Sequence, residues 1–319
     1  MNIRFLGSVV VGLGVLVAAC DQPDVVCQAS RRPFATRFTK TSGGGEACAE
    51  FLVGNIGIQT FNPASSDPQQ PSSDSAFIAV QHSRMKGAIE GQALGYGVGD
   101  PLAPPEGTEH QLYSLGDFDS IDSTDGVCTV TSFRAPAQYV SADEAPPVLC
   151  DATGGAGGAG GGGEMGGMGG HPCEDDFGFP KTEAKYEWSN MRMLVRADAP
   201  GTVFTANLKY TENQTFPISM QDAVNCTTDY TVIALAPSVD CSVFDAEGNP
   251  TGEGDITLCY AEGDPTAGRP FGSGINPSFG TVDQGGIVDC LDNGGGTFSC
   301  VLSVNSVEEV RSKIEAAEE

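Results

Sequence analysis

The chain has 319 residues and a mass of 32.9 kDa, with 16 Lys and Arg against 42 Asp and Glu, a formal net charge of −26. So acidic a chain lacks the clustered cations that neutralise phosphate, which excludes general nucleic-acid binding and charge-driven adhesion to anionic lipid. With 39% hydrophobic and 18% charged residues it is not a disordered chain, and its length holds one or two domains.

From the N-terminus, Met1–Arg4 carries one positive charge, and Phe5–Val17 is a run of thirteen apolar or small residues. At 1.5 Å per residue such a helix covers about 20 Å, short of the ~30 Å hydrocarbon core. Residues 1–19 therefore read as a cleaved secretory signal and not as a spanning helix. The closing Val17-Ala18-Ala19-Cys20 resembles the bacterial lipobox. That resemblance implies cleavage before Cys20 and acylation of its thiol and its new amine, an anchor far stronger than a single fatty chain. Residues 20–26 are then the lipidated cysteine and a short tether. Residues 27–150 and 172–319 read as two parts of one β-rich body, separated by a Gly-rich flexible loop over 151–171.

Strand signals dominate that body. In chain order the candidates are Phe34–Thr41, Phe51–Phe61, Phe77–Gln81 and Val127–Phe133, with Pro-rich or Ser-rich loops over Asn62–Ser75 and Val98–Glu109. Ser83–Leu94 places Met85, Ala88 and Ile89 at helical spacing but contains Gly87 and Gly91. Twelve of the seventeen residues Gly154–Gly170 are glycine. The tract matches G-x-G-x-x-G trivially, with no strand before it and no helix after it, so nucleotide binding is rejected. Tyr186–Arg196 holds the single tryptophan, Trp188, and its alternation changes phase before Met191 and Met193, which predicts a bulge. Thr202–Thr211 alternates, with Phe204, Ala206, Leu208 and Tyr210 on one face. Tyr230–Leu235, Asp255–Ala261, Ile287–Leu291 and Thr297–Val304 follow. Ser306 and Glu309 have capping-box spacing ahead of Val307, Val310 and Ile314, which predicts a C-terminal helix. The fold class is mainly β: a disulfide-stapled β-sandwich or barrel-like body with a short C-terminal helix and a Gly-rich insertion.

Eleven cysteines are present. Acylation of Cys20 leaves ten, an even number: Cys27, Cys48, Cys128, Cys150, Cys173, Cys226, Cys241, Cys259, Cys290 and Cys300. An exported chain meets an oxidising compartment, so these ten are disulfide candidates. No C-x-x-C occurs, which weakens zinc and thioredoxin-like readings. Cys290 and Cys300 flank the turn-forming Asp292–Gly296, which points to a bridge across a hairpin, and Cys241 and Cys259 flank the turn-rich Asp245–Gly254 in the same way. Cys150 and Cys173 bracket the glycine tract and could staple it as a loop.

Chemistry-bearing motifs are sparse. His82, His110 and His171 stand at no metal-ligand spacing from one another, and His171 precedes the acidic Glu174–Asp176. Gly272-Ser273-Gly274 falls short of the nucleophile elbow, and a serine hydrolase would need His82 or His110 beside it. Two acidic loops are calcium candidates: Asp117, Asp119, Asp122 and Asp125 in one, Asp245, Glu247 and Asn249 in the other, with Glu253 and Asp255 beyond. Each supplies oxygen ligands, and neither has the EF-hand spacing. No catalytic residue is assigned, and calcium is the sole cofactor considered.

Several segments carry a family resemblance: Cys20 followed closely by Cys27; Gly116-Asp117-Phe118 leading to Val127-Cys128-Thr129-Val130; Ala199-Pro200-Gly201-Thr202; Ala234–Cys241; and Gly272–Pro277. Together they resemble the MlpA-like outer-membrane lipoproteins of myxobacteria. The resemblance implies a protein anchored in the bacterial outer membrane and transfers no catalytic residue. The expected function is a lipid-anchored, non-catalytic binding or structural role. Its partners are the bilayer through acylated Cys20 and an envelope protein or extracellular polymer. The alternatives are a lipid-anchored extracellular hydrolase and a calcium-dependent adhesion module.

Overall fold

The computed structural model describes residues 26–44, 51–61, 76–85, 111–120, 123, 125–140, 149–150, 171–172, 181–196, 199–215, 223–294 and 296–317. Cys20 with the proposed signal, Cys48, Cys173, His110, Asp122 and the glycine tract lie outside them, as does most of Ser83–Leu94.

The large sheet is built from β1 (Phe34–Gly43), β2 (Val53–Phe61), β3 (Phe77–His82), β4 (Ser114–Asp117), β5 (Val127–Ala135), β6 (Ala137–Val140), β9 (Lys181–Val195), β10 (Pro200–Thr215) and β11 (Val224–Leu235). Its order is β10-β11-β1-β2-β3-β4-β5-β9-β6, and β9 also pairs with β10. That last pairing closes the sheet. β5 and β6 lie against successive stretches of β9, so they share one position in the ring. The result is an eight-position antiparallel barrel in which ring neighbours follow chain order and β11 returns to β1. Closure removes the open edges that invite aggregation. β7 (Leu149–Cys150) and β8 (His171–Pro172) form a two-residue ladder.

Alternation along the strands decides which side chains fill the barrel. Phe34, Ile56, Ile78, Val130, Met193, Phe204, Leu208 and Val232 are buried in one cluster. Eight strands enclose a bore just wide enough for side chains to fill, and each large apolar group removed from water contributes about 2 kcal/mol. The outward positions of β10 and β11 include Asn207, Lys209, Thr211 and Asp229. An apolar inside and a polar outside are the reverse of a barrel that spans a membrane. Among the described residues no helix is long and apolar enough to cross one. The expected bulge lies in β9: Thr205 pairs with Arg192 and Asn207 with Ser189, so Asn190 and Met191 stand against Ala206 alone. Asn190 takes φ +50° there.

The chain before β1 plugs one barrel end. Cys27 is fully buried and bonded to Cys128, an inward residue of β5. Ser30 N–H then donates to the Gly201 carbonyl (2.8 Å) as the chain passes the start of β10.

Residues 238–317 form an annex on the outer wall. It contains β12 (Ser242–Phe244), β13 (Pro250–Gly254), four 3-10 turns, β14 (Val288–Gly294), β15 (Thr297–Leu302) and the helix α1 (Val307–Ala317). Leu194, Val203, Ile233 and Leu235 point outward from β9–β11 and join Phe279, Val288, Leu302, Val307, Val310 and Ile314 in a second core. Arg37 of β1 reaches across, its guanidinium donating to the Val304 carbonyl (2.6 Å) and Asn305 Oδ1 (2.7 Å). Helix α1 starts as expected, with Glu309 N–H donating to Ser306 Oγ (3.2 Å).

Two expectations are corrected. Asp255–Ala261 is not a strand: the Asp255 carboxylate accepts from both the N–H (2.9 Å) and the hydroxyl (2.6 Å) of Thr257, which winds Ile256–Cys259 into a 3-10 turn. The hairpin β14–β15 exists, and Cys290 faces Cys300 across it, but they do not bond to each other. The bridges are Cys241–Cys290 and Cys259–Cys300. The hairpin already has a backbone ladder to hold it. The bridges instead tie to it the Cys241 segment, which also bonds to β15 through its backbone, and the 3-10 turn of Cys259, closing separations of 49 and 41 residues.

Candidate functional site

The barrel end opposite the plug is closed by aromatic side chains. His82, the last residue of β3, is 3% exposed. Its ring stacks on Tyr186 at 5.2 Å and packs at 4.9 Å from Phe51 and 5.4 Å from Phe38. The Arg84 backbone N–H donates to its Nδ1 (3.1 Å), while Nε2 has no hydrogen-bond partner among the described residues. Burial, helped by the nearby Arg84 charge, lowers its pKa to about 3, so the imidazole is neutral at physiological pH. Beside it, Tyr210 donates to Glu212 Oε2 (2.8 Å) and Gln214 to Glu212 Oε1 (2.7 Å). Burial pushes the Tyr186 and Tyr210 phenols well above their ordinary range. Ring packing and an uncharged histidine make this a core cluster.

A different surface is open to ligand. On β2, β3 and β4 the inward alternation of Ile56, Ile58, Ile78 and Val80 turns Gly57, Gln59, Phe61, Phe77, Ala79, Gln81 and Leu115 outward. Gly57 and Ala79 are small and leave a low floor, while Phe61, Phe77 and Tyr113 stand up around it. The groove encloses about 580 Å³. Phe61 and Phe77 stack with centroids 4.7 Å apart and planes 14° from parallel. The Arg134 guanidinium lies over the Phe77 ring at 5.3 Å and pairs with Asp117 at 3.0 Å. Tyr113 is 45% and Phe61 36% exposed, on a wall that the annex core leaves bare. Exposed aromatic faces flanked by amides and a guanidinium offer apolar stacking together with hydrogen-bond donors and acceptors. Sequence reading missed these residues. The available signal was phase: Phe61, Phe77 and Tyr113 are large aromatics at positions out of step with the core.

Several carboxylates of the two acidic loops have partners within the protein. Asp117 pairs with Arg134, and Asp119 accepts from the Thr131 hydroxyl (2.7 Å) and N–H (3.3 Å). Asp125 sits in a turn with φ +52°. Asp245 accepts from the N–H groups of Asn249 (2.7 Å) and Glu247 (3.1 Å), and the Asn249 amide holds its carboxyl below the usual range. Among the described residues, the set of three His, Cys, Asp or Glu that converges as metal ligands would is Cys241, Cys259 and Cys290, all three in disulfides. Cys226 is also disulfide-bonded. The backbones of Cys150 and His171 face each other in the β7–β8 ladder.

Of the serine and histidines a hydrolase would need, Ser273 and His82 are described and are not brought together, and His110 lies outside the described residues. Ser273 lies in the annex, its hydroxyl donating to the Cys259 carbonyl (3.0 Å), and His82 lies inside the barrel. A second, polar hollow of about 480 Å³ opens in the annex between Tyr260, Asp264, Asn276, Thr281 and Gln284.

The family model MlpA matches residues 32–237. Those limits fall at the end of the plug and just past β11, so the matched stretch is the barrel. The chain is also 32% identical to a Myxococcus xanthus protein named "Putative lipoprotein MlpA" over an alignment of 292 residues that covers 89% of this chain and 90% of that one. No solved structure matches.

Proposed function

The chain belongs to the MlpA family, and we propose that it is a lipid-anchored outer-membrane protein with a non-catalytic binding role, its ligand an extracellular polymer held along the β2–β4 groove. The observation that carries the binding role is the stack of exposed Phe61 on half-buried Phe77 with Arg134 over it, bordered by Gln59 and Gln81. A sugar polymer fits that chemistry. The C–H faces of its rings stack on aromatics, and its hydroxyls or carboxylates meet amides and a guanidinium. An open groove along one wall also suits an extended chain better than a small molecule, which prefers an enclosing pocket. The anchor reading rests on Val17–Cys20 and on a relative whose name says lipoprotein.

Cell fractionation tests the anchor: Cys20→Ala should move the protein from the envelope to the soluble fraction. Incubating the acylated mature protein with envelope and extracellular polysaccharides, with shortened products followed by chromatography, tests the role. Retention without shortened products is the expected result. Steady release of products would replace the binding reading with the hydrolase.

A further inference from the structure

The path of the chain into the barrel determines which end of the molecule faces the membrane. Cys27 is locked to Cys128 inside the barrel. The next residues cross the opening: Ala29 N–H donates to Thr60 Oγ1 (3.4 Å) near the end of β2, and Ser30 N–H to the Gly201 carbonyl (2.8 Å) at the start of β10. The plugged end is therefore the one carrying the β4–β5 and β9–β10 turns. The opposite end holds His82, Tyr186 and Tyr210, and there β1, β3 and β10 end.

Length then decides between orientations. Cys20 and Cys27 are seven residues apart, so the tether spans about 25 Å at full extension. Tyr210 lies nine residues beyond Gly201 on β10. At about 3.3 Å per residue and a tilt near 40° that is about 23 Å along the barrel axis. Bringing the His82 end down to the bilayer would use the whole tether, stretched straight along the wall. Leaving the plugged end down lets the tether keep its freedom. Arg31 and Arg32 are exposed on the plug, while the chain as a whole is strongly acidic. Asp119 and Asp125 share that end, so its charges balance and tether length decides.

We infer that the plugged end, with Arg31 and Arg32, is a lipid-facing surface, and that the barrel stands on the membrane with its His82 end held outward. The inference rests on the acylation of Cys20 proposed above. Its test uses acylated mature protein in vesicles of phosphatidylethanolamine and phosphatidylglycerol that carry an acceptor dye on the headgroups. A donor dye is placed through an unnatural amino acid at position 31, on the plug, or at position 42, near the far end of β1. Energy transfer at least about twofold higher from position 31 is expected. Inserting a Gly/Ser stretch of about thirty residues between Gln22 and Pro23 should bring the two efficiencies together. Equal transfer with the native tether, or higher transfer from position 42, overturns the orientation. So does a difference that survives the insertion. If the protein carries no acyl mass and does not float with vesicles, the anchor reading itself fails, and the orientation with it.

Discussion

His82 and Gly201 show how single residues fix this barrel. His82 has a folded pKa near 3 against an ordinary value of 6.5, so between those values the unfolded chain binds a proton that the folded one refuses. Its contribution to stability is complete above about pH 6.5 and is lost as pH falls towards 3. The loss is a few kcal/mol in order of magnitude. His82→Phe keeps an aromatic ring in the stack but does not titrate. Melting temperatures followed from pH 7 to pH 4 should therefore fall less steeply for His82→Phe than for the wild type, and parallel curves would show that His82 charges inside the barrel without cost. Gly201 takes φ +64°, and a Cβ there would lie 2.0 Å from the Gln28 carbonyl oxygen. A side chain at this position must displace the plug. Gly201→Ala is expected to lower stability by about 2 kcal/mol or more in denaturant titration, and an unchanged midpoint would mean that the plug is not seated as described.

At the level of elements, the disulfides decide more than the hairpins do. The bridge Cys27–Cys128 spans 101 residues, for which loop-closure entropy gives about 4.7 kcal/mol. Replacing both cysteines by alanine should lower the melting temperature by many degrees while β10 and β11 keep their ladder. Peptide mapping without reduction should recover Cys241 joined to Cys290 and Cys259 joined to Cys300. Recovery of Cys290 joined to Cys300 would contradict the annex. Local elements were legible where the signal was local. The alternation of Phe204, Ala206, Leu208 and Tyr210 set the face of β10, the phase change around Asn190 marked the bulge, and Ser306 with Glu309 marked the helix start. Pairings between distant residues were not legible. Nothing near Cys290 indicates Cys241, because the choice depends on which segment packs over the hairpin. Asp255–Ala261 misled because a side-chain cap at Asp255 outweighed the strand-forming character of Ile256–Cys259.

Across the whole molecule, closure of the barrel depends on β1 meeting β11 and β9 meeting β10, the first pairing joining residues some two hundred positions apart. Composition and alternation allowed a sandwich or a barrel. Shear and tilt, which are properties of the assembled ring, distinguish the two. The groove escaped sequence reading for a related reason: Phe61, Phe77, Tyr113 and Arg134 come from four segments brought together by the β2–β3, β3–β4 and β4–β5 pairings, whose registers no local signal gives. The most direct measurement is the affinity of the acylated mature protein for extracellular polysaccharides, taken by gel retardation or calorimetry, for wild type, Phe77→Ala and His82→Phe. Phe77→Ala removes the centre of the stack at an outward position, so it should weaken binding about tenfold or more and leave the melting temperature within a few degrees, while His82→Phe should bind as wild type does. Binding that survives Phe77→Ala, or that is lost with His82→Phe while the fold is retained, would contradict the groove as the working surface of this protein.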